Sequence, residues 1–218
     1  MSKRFYWKKI RPILLTVVIC CTFFLILMAI TSNKQGNLTI FVDRSSVTKS
    51  LSLSESSLLT DPKGKIYGPS IDNAWDTLES RIPEDVYLLD GNNSGESYIA
   101  YTFYLYNSGI ETLDYTMSFN IENTSKNLDE AVRVRLYIND APTTYAKKNS
   151  ITNEAEIGTT EFESDSVIVS QTVTDFEPNK VTKYSIVIWI ESDDVDCTND
   201  KIGGSLTLSM SFSVVGIM

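Results

Sequence analysis

The sequence predicts an all-β protein, an antiparallel β-sandwich of jelly-roll or immunoglobulin-like type, preceded by one transmembrane helix. Three observations predict it. An uncharged apolar run stands near the N-terminus, several later segments alternate apolar and polar residues with period two, and no helical pattern intervenes between those segments.

The apolar run is ILLTVVICCTFFLILMAI, Ile13 to Ile30, just long enough as a helix to cross the hydrocarbon layer of a bilayer. Lys3, Arg4, Lys8, Lys9 and Arg11 all precede it, and positive charges of this kind stay on the cytoplasmic side. Residues 1–12 are therefore expected in the cytoplasm, 13–32 as an uncleaved signal anchor, 33–36 as a neck and 37–218 as an extracellular domain at the cell membrane. A cleaved signal peptide shares the basic start and apolar middle. Here the run is long for one, and only Ala29 and Thr31 approximate a small-residue cleavage site. Cys20 and Cys21 sit in mid-run after Ile19, where lipidation would require a small residue, and read as small hydrophobes.

Beyond the neck, NLTIFVD from Asn37 to Asp43 reads as a first strand, and the alternation at Leu51 and Leu53 as a weak edge strand within a Ser-rich stretch. A helical turn is expected near Ala74 to Ser80, with turn signals at Pro83 and in DGNNSG. From Tyr98 onward the period of two is plain. Tyr115, Met117, Phe119 and Ile121 share one face, as do Val132, Val134, Leu136 and Ile138. Leu206, Leu208, Met210, Phe212 and Val214 alternate with five hydroxyl-bearing residues. Such strands belong to antiparallel sheets covered on one side, and several in succession imply two sheets packed face to face. YIAYTFYLYN (Tyr98 to Asn107) and KYSIVIWIE are apolar on both faces; either they are central strands roofed by loops or they expose an aromatic patch, and the long irregular segment from Asp43 to Ser97 favours the roof.

Composition excludes several functions. Past the five basic residues ahead of the run, 14 basic residues face 28 acidic ones, a balance that repels phosphate backbones and argues against nucleic acid as a partner. The chain has no histidine, which removes Ser-His-Asp and Cys-His catalysis and the two-His zinc helix. Outside the apolar run only Cys197 remains, so the domain has no internal disulfide and must be held by packing.

The segments SYIAYTFYLYNSGIETLDYTMSFNI, DEAVRVRLYINDAPTTYAKK, GTTEFESD and DFEPNKVTKYSIVIWIESDDVDCTNDKIGGSLTLSMSF resemble a group of small membrane-anchored surface proteins of Gram-positive bacteria. These have no assigned activity and are distantly similar to biofilm-matrix proteins of the TasA and camelysin type. The resemblance spans Asn37 to Val215 and implies the sandwich, extracellular placement and surface or matrix assembly; it implies no catalytic residues. The chain departs from the group's pattern at Ser192 and Val195, where a Gly and a Pro are expected.

Between the strand ending at Ile190 and the one starting near Gly204, Glu191, Asp193, Asp194, Asp196 and Asp200 place five carboxylates within ten residues. Calcium takes six to eight oxygens from such groups, so these five are the candidate metal ligands. The spacing lacks the order of an EF-hand, and a solvated acidic loop that discourages edge pairing accounts for the same residues. Acids beside Cys197 raise its thiol pKa, the opposite of a catalytic setting. Arg133 and Arg135 project from one polar face, where cross-strand ion pairs within the sheet would satisfy them.

The resulting expectation is a non-enzymatic, single-pass surface protein without a cofactor, serving binding or assembly through self-association or other surface proteins. The alternatives are an enzyme acting through paired carboxylates on cell-wall glycan, a secreted matrix-fibre subunit released by cleavage, and a sensor with a very short cytoplasmic end.

Overall fold

In the computed structural model, residues 16–22, 38–70 and 76–217 are described, and the chain divides into two units, Met1–Gln35 and Gly36–Met218. In the first unit, residues 16–22 are helical with exposed side chains. The rest of the expected 13–32 span, the segment 1–12 and the neck 33–36 lie outside the described residues. No helix among the described residues is long and apolar enough to cross a membrane.

The second unit is built from strands. In chain order they are β1 (Leu38–Val42), β2 (Leu51–Ser54), β3 (Lys65–Tyr67), β4 (Gly91–Asn92), β5 (Tyr98–Asn107) and β6 (Leu113–Thr124). There follow β7 (Val132–Ile138), β8 (Ala141–Ala146), β9 (Thr160–Glu161), β10 (Val167–Phe176), β11 (Val181–Ile190) and β12 (Leu206–Ile217). The helical turn expected near Ala74 to Ser80 falls partly outside the described residues, and a 3-10 turn is present at Glu79–Arg81.

Two sheets result. One has the order β10-β6-β12-β1-β3; the other runs β2-β5-β11-β7-β8-β9, with β4 also paired to β5. The expectation of purely antiparallel sheets is corrected, because β1 runs parallel to β12 and β8 parallel to β9. A parallel neighbour needs a long crossover, and β1 has nearly the whole domain as its connection to β12. The strand signal at residues 38–42 holds no information about direction.

The alternating faces of β6 and β12 meet those of β5, β7 and β11 in one core. Tyr115, Phe119 and Phe212 from the first sheet and Phe103, Tyr184 and Val134 from the second are each 0–1% exposed. Phe212 lies 5.2 Å from the Tyr184 ring and 6.0 Å from Phe103 across the gap between sheets. The Tyr115 and Tyr184 hydroxyls meet at 2.9 Å, giving each buried phenol a partner, as buried polar groups require. No disulfide contributes, since Cys20, Cys21 and Cys197 are all free.

The roof inferred from the two-faced strands is present. On the outer side of the second sheet, Ile82, Val86 and Tyr87 cover Ala100, Tyr137, Val187 and Trp189. Tyr87 stacks on Tyr137 with ring centroids 4.2 Å apart. The backbone is tied down as well: Thr77 N–H donates to the Ile190 carbonyl at 2.8 Å, and Ser192 N–H to the Thr77 carbonyl at 3.1 Å.

The sheet edges are short or interrupted. β3 has three residues, β9 two and the end strand β2 four, with Leu53 bridged by Lys63, and Pro142 interrupts the free edge of β8. β10 is longer, but its Ser170 N–H is taken by the Glu163 carboxylate at 2.8 Å, and Asp175 adopts φ 57° where the register with β6 shifts. Such features blunt edge-to-edge pairing. β1 lies inside its sheet, hydrogen-bonded on both sides.

Candidate functional site: the outer face of β7

Alternation along β7 sends Val132, Val134 and Leu136 into the core and Arg133, Arg135 and Tyr137 to the opposite face. That opposite face is not the open polar surface expected, because loops cover it. Arg133 is only 6% exposed. Its partners come from loops rather than from neighbouring strands, which corrects the expectation of ion pairs within the sheet. Asp194, in the β11–β12 loop, places Oδ2 2.6 Å from Arg133 Nη1, and Glu156, in the β8–β9 loop, places Oε2 3.6 Å from Nη2.

Asp196 joins them. Ligand-type oxygens of Glu156, Asp194 and Asp196 all lie within 4.8 Å of one another. Asp194 Oδ1 accepts the Asp196 N–H at 2.7 Å, while Asp196 accepts from the backbone N–H of Ser150 at 3.0 Å and from its hydroxyl. These bonds clamp the two loops together over β7. One guanidinium thus pairs with two carboxylates while a third lies beside them. Arg133 Nη1 and Asp194 Oδ2, in ion-pair contact, and Glu156 Oε1 are buried without a hydrogen bond of good geometry among the described residues.

Of the five carboxylates singled out in the sequence, the structure brings together Asp194 and Asp196. Glu191 turns instead toward the roof, where Oε2 accepts from Trp189 Nε1 at 2.8 Å and from the Glu79 backbone N–H at 3.4 Å. Asp193 is exposed. Asp200 is exposed too, and a hydrogen bond from Thr198 lowers its carboxyl pKa. Calcium needs six to eight oxygens. Among the described residues, Glu156, Asp194 and Asp196 bring carboxylate oxygens to one place, and the Arg133 cation is already paired with two of them. Arg133 and Glu156 were missed as site members because both are far from residues 191–200 in the chain.

Cys197 stands beside this cluster. Burial first, and then the charges of Asp76, Asp194 and Glu191, raise its thiol pKa, so the thiolate is disfavoured.

Arg135, two residues on, is held differently. Its Nη2 pairs with Glu79 Oε1 at 2.5 Å, its Nε donates to Thr144 Oγ1 at 2.8 Å, and its guanidinium lies 5.3 Å from the Trp189 ring centroid. Beside it a cleft of about 420 Å³ opens between β7, β8 and the turn leading into β9.

No family model matches the chain, and no curated protein matches it. Among solved structures, it is similar to the crystal structure of a β-glucosidase from Kluyveromyces marxianus in complex with glucose, at 12% identity and a TM-score of 0.25 over 73% of this chain and 15% of that one. A selenomethionine-labelled structure of the same enzyme gives 11% identity and a TM-score of 0.25, covering 73% and 17% of the two chains. The chain thus spans about a sixth of those chains' length, and likeness at this level carries no functional argument.

Proposed function

We propose that the protein is a single-pass, membrane-anchored surface protein whose β-domain stands outside the cell and works by binding, without catalysis. The observation that carries this reading is a basic-then-apolar N-terminus placed directly ahead of a domain whose core is complete within residues 38–217. Five positive charges before an uncharged run orient the N-terminus inward. The resemblance to Gram-positive surface and matrix proteins points to the same placement. Binding is favoured over assembly by strand addition because β3 and β9 are short, β2 is short and bridged by Lys63, Pro142 interrupts the free edge of β8, β10 is capped and bulged, and β1 is already paired on both sides.

Protease shaving of intact cells tests this. With an epitope fused after Met218, the expected result is a full-length membrane-fraction protein that loses its epitope to external protease. An epitope protected in intact cells, or a full-length chain in the cytosolic fraction, overturns the proposal.

A further inference from the structure

The cleft beside Arg135 mixes hydroxyls and one ion pair with a small apolar surface from Tyr137 and Pro142. Thr143 and Thr144 come from β8, Thr159 and Thr160 from the entry to β9, and Glu79 with Arg135 closes one wall. The charges cancel within the Arg135–Glu79 pair, so the lining as a whole is neutral and rich in groups that both donate and accept. Thr144 and Thr159 are engaged, by Arg135 Nε and by the Glu156 carbonyl at 2.9 Å. The Thr160 hydroxyl is exposed and makes no hydrogen bond among the described residues. Arg135 uses two of its nitrogens in fixed bonds, and Nη1 takes part in neither.

From this lining we infer that the cleft binds a neutral, polyhydroxylated ligand, a saccharide; the inference rests on the binding role proposed above. An inorganic anion or phosphoryl group meets Glu79 in the wall and a strongly acidic domain around it. A metal cation meets Arg135. An extended peptide adding to the free edge of β8 reads backbone donors, and Pro142, which lines the cleft at that edge, has no N–H to give. A sugar suits what remains. Its vicinal hydroxyls match the guanidinium donors, the Glu79 carboxylate and the threonine hydroxyls, while the exposed Pro142 ring and threonine methyls offer the small apolar surface that a pyranose C–H face packs on. The volume lies in the range of small-ligand sites, roughly 300–1,000 Å³.

Saturation-transfer NMR on the full chain in lipid nanodiscs tests the assignment. The probes are cellobiose and N,N′-diacetylchitobiose, with inorganic phosphate and the peptide Gly-Thr-Val-Thr as competing classes. The expected result is transfer to at least one disaccharide at millimolar concentration and to neither competitor. In the exposed-site variants Thr160→Val and Glu79→Gln, affinity should fall about tenfold, the loss that follows from one or two hydrogen bonds. No transfer to either disaccharide, undiminished transfer in both variants, or binding of phosphate or peptide alone overturns it. The shaving experiment reads surface placement independently, so the failure of one reading does not mimic the failure of the other.

Discussion

The Asp194→Asn substitution isolates the buried charge pair on the outer face of β7. The Asp194 side chain is 0% exposed and that of Arg133 is 7% exposed, so neither charge is screened by solvent. Asparagine keeps the shape and keeps an oxygen for the Asp196 N–H, so what is lost is the carboxylate facing the guanidinium at 2.6 Å. Removing one member of a buried pair costs about 3–5 kcal/mol because the other is left uncompensated. Glu156, 3.6 Å away on the second guanidinium nitrogen, still offers partial compensation, which places the expected cost near the lower end, about 3 kcal/mol. In a domain of this size that lowers the melting temperature by about 6–12 °C. Differential scanning calorimetry and urea denaturation read it. The double replacement Arg133→Met with Asp194→Leu should recover most of the loss, since an apolar pair has no stranded charge. A single variant within about 0.5 kcal/mol of the parent would show that the pair is solvated, and the clamp between the two loops would have to be abandoned as a structural element.

The remaining expectations concern other parts of the domain. Phe212→Ala opens a cavity at the meeting point of Phe103, Tyr115 and Tyr184 and should cost about 3–5 kcal/mol by urea denaturation; a cost below 1 kcal/mol would contradict the shared core. Burial alone would raise the Asp129 pKa, but hydrogen bonds from Lys147 and Thr124 outweigh it and the carboxyl is lowered overall. A lowered folded-state pKa gives stability that is present above the ordinary aspartate value and lost as pH falls through the folded-state one. Asp129→Asn should therefore flatten the acid limb of a stability-against-pH curve, and an unchanged limb refutes the coupling. Burial and then the Asp90 carboxylate push Tyr104 up to about 12. Asp90→Asn removes the second cause and leaves the first, so alkaline absorbance titration should show Tyr104 ionising at lower pH in the variant than in the parent but still above the ordinary tyrosine value, and an unchanged titration refutes the pairing. Tyr87→Ala removes the 4.2 Å stack on Tyr137 and should cost about 1–2 kcal/mol by urea denaturation; a cost below about 0.5 kcal/mol means that the roof is held elsewhere.

The core was legible because burial on one face imposes a period of two that any reader of β6, β7 or β12 can see. The roof was legible for the converse reason: Val187 and Trp189 are apolar where a solvated face would be polar, which called for a cover or an exposed patch, and the long segment ahead of Tyr98 was there to supply the cover. β10 was harder to see. Its middle, Ser170 to Thr172, is exposed on an edge, so no alternation marks it. The clamp could not be read from spacing at all. Arg133, Glu156 and Asp194 come from three separated segments, and only the fold makes them neighbours. The face of Arg133 and Arg135 read as open and polar, so nothing in the spacing asked for a buried counter-charge there.

The side-by-side placement of β1 and β12 has a mechanical consequence. The two run in the same direction, with Leu38 opposite Leu208 and Val42 opposite Phe212. Tension applied to the chain ahead of Leu38, against a load borne by the body of the domain, acts along the strand axis and across the row of inter-strand hydrogen bonds. All the bonds in that row are then stressed together in shear, whereas a hairpin pulled from its open end peels one rung at a time. Whatever tethers the N-terminal end, the first strand is seated as a lap joint rather than a zipper, and the force that reaches the domain is spread over five rungs at once.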